Sequence, residues 1–244
     1  MALDAPTLAA FLAAVGLLGL SKGGFSGIGF LSMPILLLVM SPAAAAGLML
    51  PVLMIQDAFS VWLYRGKWDR ANLWVLLPAA VVGVGLGLIL FAALPVKVML
   101  GLLGAVTIAF AAKGLLRPSP AKRPSRIVGY ALGAAAGLTS TVLHQGGPPF
   151  QMYLIPQKLP RETFVATTVL FFTIVNIIKL PGFLALGHIT WDRLSVALAA
   201  APFALFMTWL GLRLVRLVPQ ERFYLIIHLI LAGVGAKLLF DAFA

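Results

Sequence analysis

Residues 137–157, GLTSTVLHQGGPPFQMYLIPQ, constrain the fold of this chain more than any other stretch. They lie in an apolar run long enough to cross a membrane, but Gly146-Gly147-Pro148-Pro149 interrupts that run. Proline removes a backbone donor and clashes with the preceding turn, and glycine readily leaves helical geometry, so we expect two short helices joined by an unwound linker. Irregular backbone at membrane depth persists only where protein or a wet cavity surrounds it. The stretch therefore predicts a polar site inside a membrane.

The rest of the chain indicates an all-α integral membrane protein. Hydrophobic residues make up 61% of its 244 residues and charged residues only 10%. The apolar segments are 7–40, 43–64, 71–92, 97–116, 127–157, 162–186, 194–215 and 221–243. Most of them have the length of about 20 residues that crosses ~30 Å of hydrocarbon. The first and fifth segments are longer and carry polar interruptions, so each predicts a helix-break-helix hairpin.

Short motifs recur at a nearly constant spacing along the chain. Gly19 recurs 118 residues later as Gly137, and the Trp-Asp-Arg sequence of residues 68–70 recurs at 191–193. The further matches are Pro42 with Pro160, Leu86-Gly87 with Leu210-Gly211, Pro95 with Pro219 and Lys113 with Lys237. An ordered set of matches is typical of an internal repeat. We therefore predict two homologous transmembrane repeats, residues 7–117 and 126–244, joined by a basic cytoplasmic linker at 118–125.

The positions of the basic residues predict how the repeats are oriented. If both long segments are hairpins that return to their own side, thirteen Lys and Arg fall on one face of the membrane and three on the other. Cytoplasmic loops carry such an excess. The two Trp-Asp-Arg motifs then lie on opposite faces, as in inverted repeats. The predicted fold is two inverted-topology repeats, each a broken helix hairpin plus three transmembrane helices.

Both halves resemble a known family. The sequences KGGFSGIGFLSMPILLL in the first half, and GGPPFQ followed by FFTIVNIIKLP in the second, are similar to the TauE/SafE sulfite exporter family of bacterial membrane transporters. The resemblance implies a multi-pass protein of the bacterial inner membrane that moves small sulfur-containing anions such as sulfite, thiosulfate or organosulfonates, most often outward. Inverted repeats with paired broken helices suit alternating access around a midplane site, so we expect a secondary transporter.

The polar residues of the apolar segments agree with an anionic substrate. Lysine inside a membrane is costly unless it has a counter-charge or water, and helix N-termini with glycine offer backbone donors to an oxyanion. We expect the anion to bind among Lys22, Gly23, Gly24, Ser26, Thr139, Ser140, His144, Gln145, Gly146, Gly147, Asn176 and Lys179.

Three of the ionisable residues have a second interpretation. Lys179 lies about eight residues from the end of its segment, so it could also reach the membrane interface and anchor the helix. Asp57 is interpreted either as a structural counter-ion for a lysine or as a proton-coupling group. His144 is the other candidate for coupling, because histidine titrates near neutral pH, and its alternative role is to satisfy loop carbonyls.

Other functions and partners fit the sequence less well. A passive anion channel, or a transporter of another substrate such as a divalent metal cation, is the alternative function. No catalytic or ATP-binding motif occurs, so we predict no enzyme, and we expect no cofactor and no metal site. The net charge of +11 comes from basic residues that lie mainly in short loops. This distribution excludes a nucleic-acid groove. The expected partners are the anion and the lipid bilayer. A homodimer is the oligomeric state considered for the chain.

Overall fold

A computed structural model describes residues 4–25, 28–90, 96–116, 121–142 and 144–243. These residues form helices and their connections. In chain order the helices are α1 (Ala5–Gly23), α2 (Ser32–Leu37), α3 (Pro42–Leu63), α4 (Arg70–Leu90), α5 (Val96–Leu116), α6 (Arg126–Val142), α7 (Gly147–Leu154), α8 (Arg161–Ala185), α9 (Trp191–Ala199), α10 (Ala201–Leu217) and α11 (Gln220–Phe243).

Several of these helices begin where the sequence supplies a capping side chain. Asp4 accepts a hydrogen bond from the backbone N–H of Thr7 at 3.2 Å at the start of α1. Ser41 and Thr190 cap α3 and α9 in the same way. Such caps satisfy donors that the first turn of a helix leaves open. The helix starts are therefore determined locally.

The first long apolar segment is broken, as predicted. Helix α1 ends at Gly23, and Gly24 has φ +146°, a conformation that side-chain-bearing residues rarely adopt. The chain continues through a 3₁₀ turn at Ile28–Leu31 into α2, which packs against α1. Ser26 and Gly27, which belong to the predicted break, lie outside the described residues.

The second long segment is broken at the predicted place. Helix α6 ends at Val142 and α7 begins at Gly147, with Pro148 and Pro149 in its first turn. His144 has φ +54° in the break, and the backbone N–H of Gln145 donates to the Thr139 carbonyl at 3.1 Å. Proline is tolerated in the first turn because those N–H groups have no partner within the helix. Helix α7 packs back against α6.

The seventh apolar segment, predicted as a single span at 194–215, is not one straight helix. Helix α9 begins at Trp191, and α9 and α10 meet at an angle of 50° around Ala200. Pro202 explains the bend, because it cannot donate to the carbonyl four residues earlier and its ring clashes with that turn. The sequence prediction did not include this bend, because it used segment length and overlooked the proline.

Five helices are long and apolar enough to cross a membrane within the described part of the chain, or six if the bent pair α9 and α10 counts as one span. They are α1, α3 from Ala44 onward, α4, α8 and α11 from Arg222 onward. Residues Leu100–Leu116 of α5 form a shorter apolar helix. The protein is therefore an all-helical, multi-pass membrane protein.

The helices are arranged in two compact units. The first unit contains Met1–Trp68 and Val165–Leu217, and the second contains Asp69–Phe164 and Val218–Ala244. Each unit thus combines parts of both predicted repeats. In the first unit α1 packs against α10 and α3 against α9. In the second unit α4 packs against α6 and α5 against α11.

Helix α1 of the first unit and α6 of the second make matching contacts with their neighbours. In the first unit, a Cβ atom added to Gly211 of α10 would lie 2.7 Å from the Leu20 carbonyl oxygen of α1. In the second unit, a Cβ atom added to Gly87 of α4 would lie 3.3 Å from the Leu138 carbonyl oxygen of α6. Leu20 and Leu138 are 118 positions apart, and Gly87 and Gly211 are 124 apart. The two helix pairs therefore share a register, whereas the inverted relation of the repeats stays a prediction.

Candidate functional site

A largely buried ion pair lies within the first unit. Lys22, in the last turn of α1, forms a salt bridge with Asp57 of α3. The Lys22 side chain is 11% exposed and that of Asp57 only 1%. Removing one partner of such a pair leaves a buried, uncompensated charge, which costs ~3–5 kcal/mol. The salt bridge therefore fixes the end of α1 against α3.

The second oxygen of Asp57 is held from another helix. Asn176 of α8 donates a hydrogen bond from Nδ2 to Asp57 Oδ2 at 2.7 Å, and Asn176 is buried. Asp57 is thus held by α1 through Lys22 and by α8 through Asn176. These contacts fit the counter-ion role of Asp57, one of the two roles that the sequence leaves open.

Lys179 follows Asn176 by three residues on α8 and is 1% exposed. Its ammonium interacts electrostatically with both Lys22 and Asp57. A lysine that anchors a helix at the membrane interface keeps its charged end in contact with water or head groups. The complete burial of Lys179 contradicts the interpretation of this residue as an anchor.

Two further side chains of the first unit adjoin these charges. The Lys22 Nζ atom lies 5.6 Å from the centroid of the Phe172 ring, within the range of a cation–π interaction. Ser60 follows Asp57 by three residues on α3, so both lie on one helix face. Ser60 Oγ is completely buried and has no hydrogen-bond partner among the described residues. It is a donor available to a ligand.

Neighbouring contacts hold the same face of α3 against α1. Tyr64 Oη donates to the Gly23 carbonyl oxygen at 2.6 Å, and Gln56 Nε2 donates to the Val15 carbonyl oxygen at 3.1 Å. Carbonyls in the last turn of a helix lack partners within it, so the Tyr64 hydroxyl satisfies one of them. Ser60 lies between Asp57 and Tyr64 along α3. Ser60 therefore lies on the face of α3 that contacts α1.

The remaining predicted residues occupy different places. Gly23 packs against the α10 backbone and Gly24 against Val215, which accounts for the absence of side chains at both glycines. Ser26 lies outside the described residues. The others belong to the second unit and surround the break between α6 and α7; they are Thr139, Ser140, His144, Gln145, Gly146 and Gly147.

The break in the second unit is a buried polar segment of its own. Thr139 Oγ1 donates to the Ala135 carbonyl at 2.7 Å, so this hydroxyl is used within α6. Ser140 and Gln145 are buried, as is Gln151 of α7, whose Oε1 has no hydrogen-bond partner in the described part of the chain. Gln151 was not among the predicted residues. Its signal in the sequence is a polar amide directly after the Gly-Gly-Pro-Pro-Phe motif.

The charges of the first unit favour an anion. Asp57 and Lys179 are the fully buried charged residues of the described chain, and Lys22 is nearly buried. Two ammonium groups beside one carboxylate leave a positive charge in an apolar surrounding. No group of three or more His, Cys, Asp or Glu able to hold a metal ion occurs among the described residues. The donors of this cluster, two lysines and a serine, are typical of oxyanion binding.

Outside the membrane spans, His188 has a pKa that its surroundings lower. His188 lies in the connection between α8 and α9, where Arg193 donates to its carbonyl oxygen at 2.7 Å. Burial, and secondarily the positive charge of Arg193, lowers the pKa of His188 below its usual value of about 6.5. The lowered pKa favours the neutral form of His188.

Comparison with known proteins agrees with this arrangement. The sequence model of the family described as "Sulfite exporter TauE/SafE" matches residues 11–238. No curated protein and no solved structure matches the chain. The family match covers nearly the whole chain, including both broken helices and the Lys22, Asp57 and Lys179 cluster. The chain belongs to the TauE/SafE sulfite exporter family.

Proposed function

We propose that this protein is a secondary transporter that exports a small sulfur-containing anion, such as sulfite, thiosulfate or an organosulfonate, across the bacterial inner membrane by alternating access. One observation carries the proposal. Two lysines of membrane-spanning helices, the nearly buried Lys22 and the buried Lys179, adjoin a single carboxylate, that of Asp57. A buried positive charge is costly unless an anion neutralises it. A sulfur oxyanion supplies that charge.

The donor set also suits the shape of such an anion. Sulfite and sulfonate groups present three acceptor oxygens. Lysine ammonium groups and a serine hydroxyl are hydrogen-bond donors that can bind these oxygens. We therefore assign Lys22, Lys179 and Ser60 as the direct ligands, with Asp57 and Asn176 holding Lys22 in position.

Export of an anion needs no coupled ion in an energised cell. The interior of the cell is negative, so outward movement of one negative charge is favoured by ~2.3 kcal/mol for each 100 mV. Asp57 is engaged by Lys22 and Asn176, which suits a structural counter-ion better than a proton carrier. We propose uniport, with His144 not required for coupling.

Lys179→Met is the sharpest test of the binding role, because it leaves the Lys22, Asp57 and Asn176 contacts intact. A charge-assisted hydrogen bond is worth ~1.5–3 kcal/mol, so sulfite affinity should fall at least about tenfold. Affinity is measured by calorimetry on purified protein, and folding by thermal melting. Lys97→Ala, at an exposed lysine of α5, is the control and should bind as the wild type does.

The transport cycle is tested in proteoliposomes that contain labelled sulfite. A carrier exchanges internal for external substrate, so external sulfite should accelerate the release of label. A passive channel gives release without this acceleration. Unchanged sulfite affinity in folded Lys179→Met protein would show that the anion binds elsewhere.

A further inference from the structure

We infer that Asp57 determines the valence of the transported anion, and that the site selects anions with one negative charge over anions with two. The inference rests on the proposed function, because it concerns the same site. It divides the candidate substrates by charge: organosulfonates and hydrogen sulfite carry one charge, whereas fully deprotonated sulfite and thiosulfate carry two. Asp57 acts as a specificity-determining residue without touching the substrate.

The charges of the cluster carry the inference. In their protonated forms Lys22 and Lys179 contribute two positive charges, and the Asp57 carboxylate contributes one negative charge. Within the described residues, the buried charged side chains are Asp57 and Lys179, with Lys22 11% exposed beside them. The cluster therefore carries one net positive charge, and one further negative charge would make it neutral.

Neutrality matters because the surroundings are apolar. Charge–charge energies grow as the dielectric constant falls, and an uncompensated buried charge carries a large desolvation cost. A monovalent anion makes the occupied cluster neutral. A divalent anion leaves one negative charge without compensation, in addition to having a larger hydration shell to lose. The cluster therefore favours the monovalent anion.

The Asp57 carboxylate is held in the cluster by two contacts. Lys22 holds one of its oxygens, and Asn176 Nδ2 holds the other at 2.7 Å. Asn176 contributes a hydrogen bond without charge, whereas an aspartate at that position would add a second acid. The Phe172 ring, 5.6 Å from Lys22 Nζ, offers an apolar surface beside the cation. The carbon group of an organosulfonate could contact that ring.

Methanesulfonate and sulfate are the probes that test the inference, because they have similar size and geometry and differ by one charge. Their affinities for the intact purified protein are measured by calorimetry at neutral pH. The wild type should bind methanesulfonate at least about tenfold more tightly than sulfate. In Asp57→Asn protein this ratio should shift toward sulfate by about tenfold or more, which corresponds to ~1.4 kcal/mol.

Two further variants keep the test decisive if Asp57→Asn folds poorly. The double variant Asp57→Asn with Lys179→Met restores the original charge of the cluster and should recover the wild-type ratio. Asn176→Asp adds a negative charge and should lower methanesulfonate affinity at least about tenfold. Asp241→Asn, which removes an acid from the Lys237 ion pair on α11, is the matched control and should leave the ratio unchanged.

The possible failures can be told apart. If the wild type binds sulfite but binds methanesulfonate and sulfate equally, the valence inference is overturned and the proposed function stands. A folded Asp57→Asn protein with the wild-type ratio, or an Asn176→Asp protein with undiminished affinity for methanesulfonate, overturns it as well. A wild type that binds no sulfur anion removes both proposals.

Discussion

Asp57 connects three helices through a few atoms. Asp57 belongs to α3. Its carboxylate forms a salt bridge with Lys22 of α1 and accepts a hydrogen bond from Asn176 of α8. A carboxylate with both oxygens engaged is more rigid than one in a single ion pair, because rotation about its side chain would break a contact. This rigidity keeps Lys22 in a fixed position. Precise placement of a cation is what a selective anion site needs.

The buried hydroxyl of Ser60 leads to a prediction for sulfite binding. Ser60→Ala removes a buried hydroxyl that the described residues leave without a partner. We expect the fold to tolerate this change and sulfite affinity to fall about tenfold, because a hydrogen bond to a charged group is worth ~1.5–3 kcal/mol. Calorimetry gives the affinity and thermal melting gives the stability.

Thr107→Val provides the comparison for Ser60. Thr107 is also completely buried, but its hydroxyl donates to the Leu103 carbonyl of its own helix. Its replacement should leave sulfite affinity unchanged. If Ser60→Ala binds sulfite as tightly as the wild type, Ser60 is not a ligand and the site is smaller than we propose.

At the scale of the helices, close packing depends on glycines at particular positions. On α4, a side chain at Gly83 would clash with the Ala134 carbonyl of α6, whereas Gly85 has open space around it. Small residues let helix backbones approach each other, which is a main source of helix association in membranes. The contact between α4 and α6 should therefore depend on Gly83 and not on Gly85.

Gly83→Ala and Gly85→Ala form a matched pair within one helix. The first should destabilise the protein by ~1–3 kcal/mol, because α4 and α6 must separate to admit the methyl group. The second should be neutral or stabilising by up to ~1 kcal/mol, because alanine has the higher helix propensity. Thermal unfolding in detergent measures both. Equal melting temperatures for the two variants would contradict the packing of α4 on α6.

At the scale of the whole molecule, the orientation in the membrane follows from the basic residues. We expect the ends of α3 and α10 to lie in the cytoplasm and the start of α9 to lie outside. The chain has no cysteine. Single cysteines at Trp68, Thr190 and Leu217 therefore report the orientation without background. Those at 68 and 217 should react with an impermeant reagent only from the cytoplasmic side, and that at 190 only from outside.

This labelling also tests the hairpins, because the positions depend on how often the chain crosses the membrane. A hairpin returns the chain to its own side, whereas a full crossing would move residue 217 outside. Labelling of 217 and 68 from opposite sides would exclude the hairpin predicted at 127–157 and with it the predicted inverted topology. Lys97→Cys, on the predicted outer face, serves as a second external reference.

Local chemistry explains what the sequence determined by itself. The ends of α1 and α6 could be predicted because Gly24 and the Gly-Gly-Pro-Pro motif act through the backbone of their own neighbourhood. The membrane spans could be predicted because span length and apolar composition are properties of contiguous residues. The bend at Ala200 was equally local, through Pro202, but a prediction based on segment length overlooked it.

Only the tertiary structure decided which polar groups meet. Asp57 and Asn176 are 119 residues apart in the sequence, and nothing near either residue indicates their 2.7 Å hydrogen bond. The sequence likewise left Lys179 between an interface anchor and a buried cation, and could not indicate that Ser60 lies on the face of α3 that contacts α1. These contacts depend on how α1, α3 and α8 pack together. A single sequence determines where a helix begins and ends, because those signals are local, but the partners of a buried charge depend on packing between distant segments.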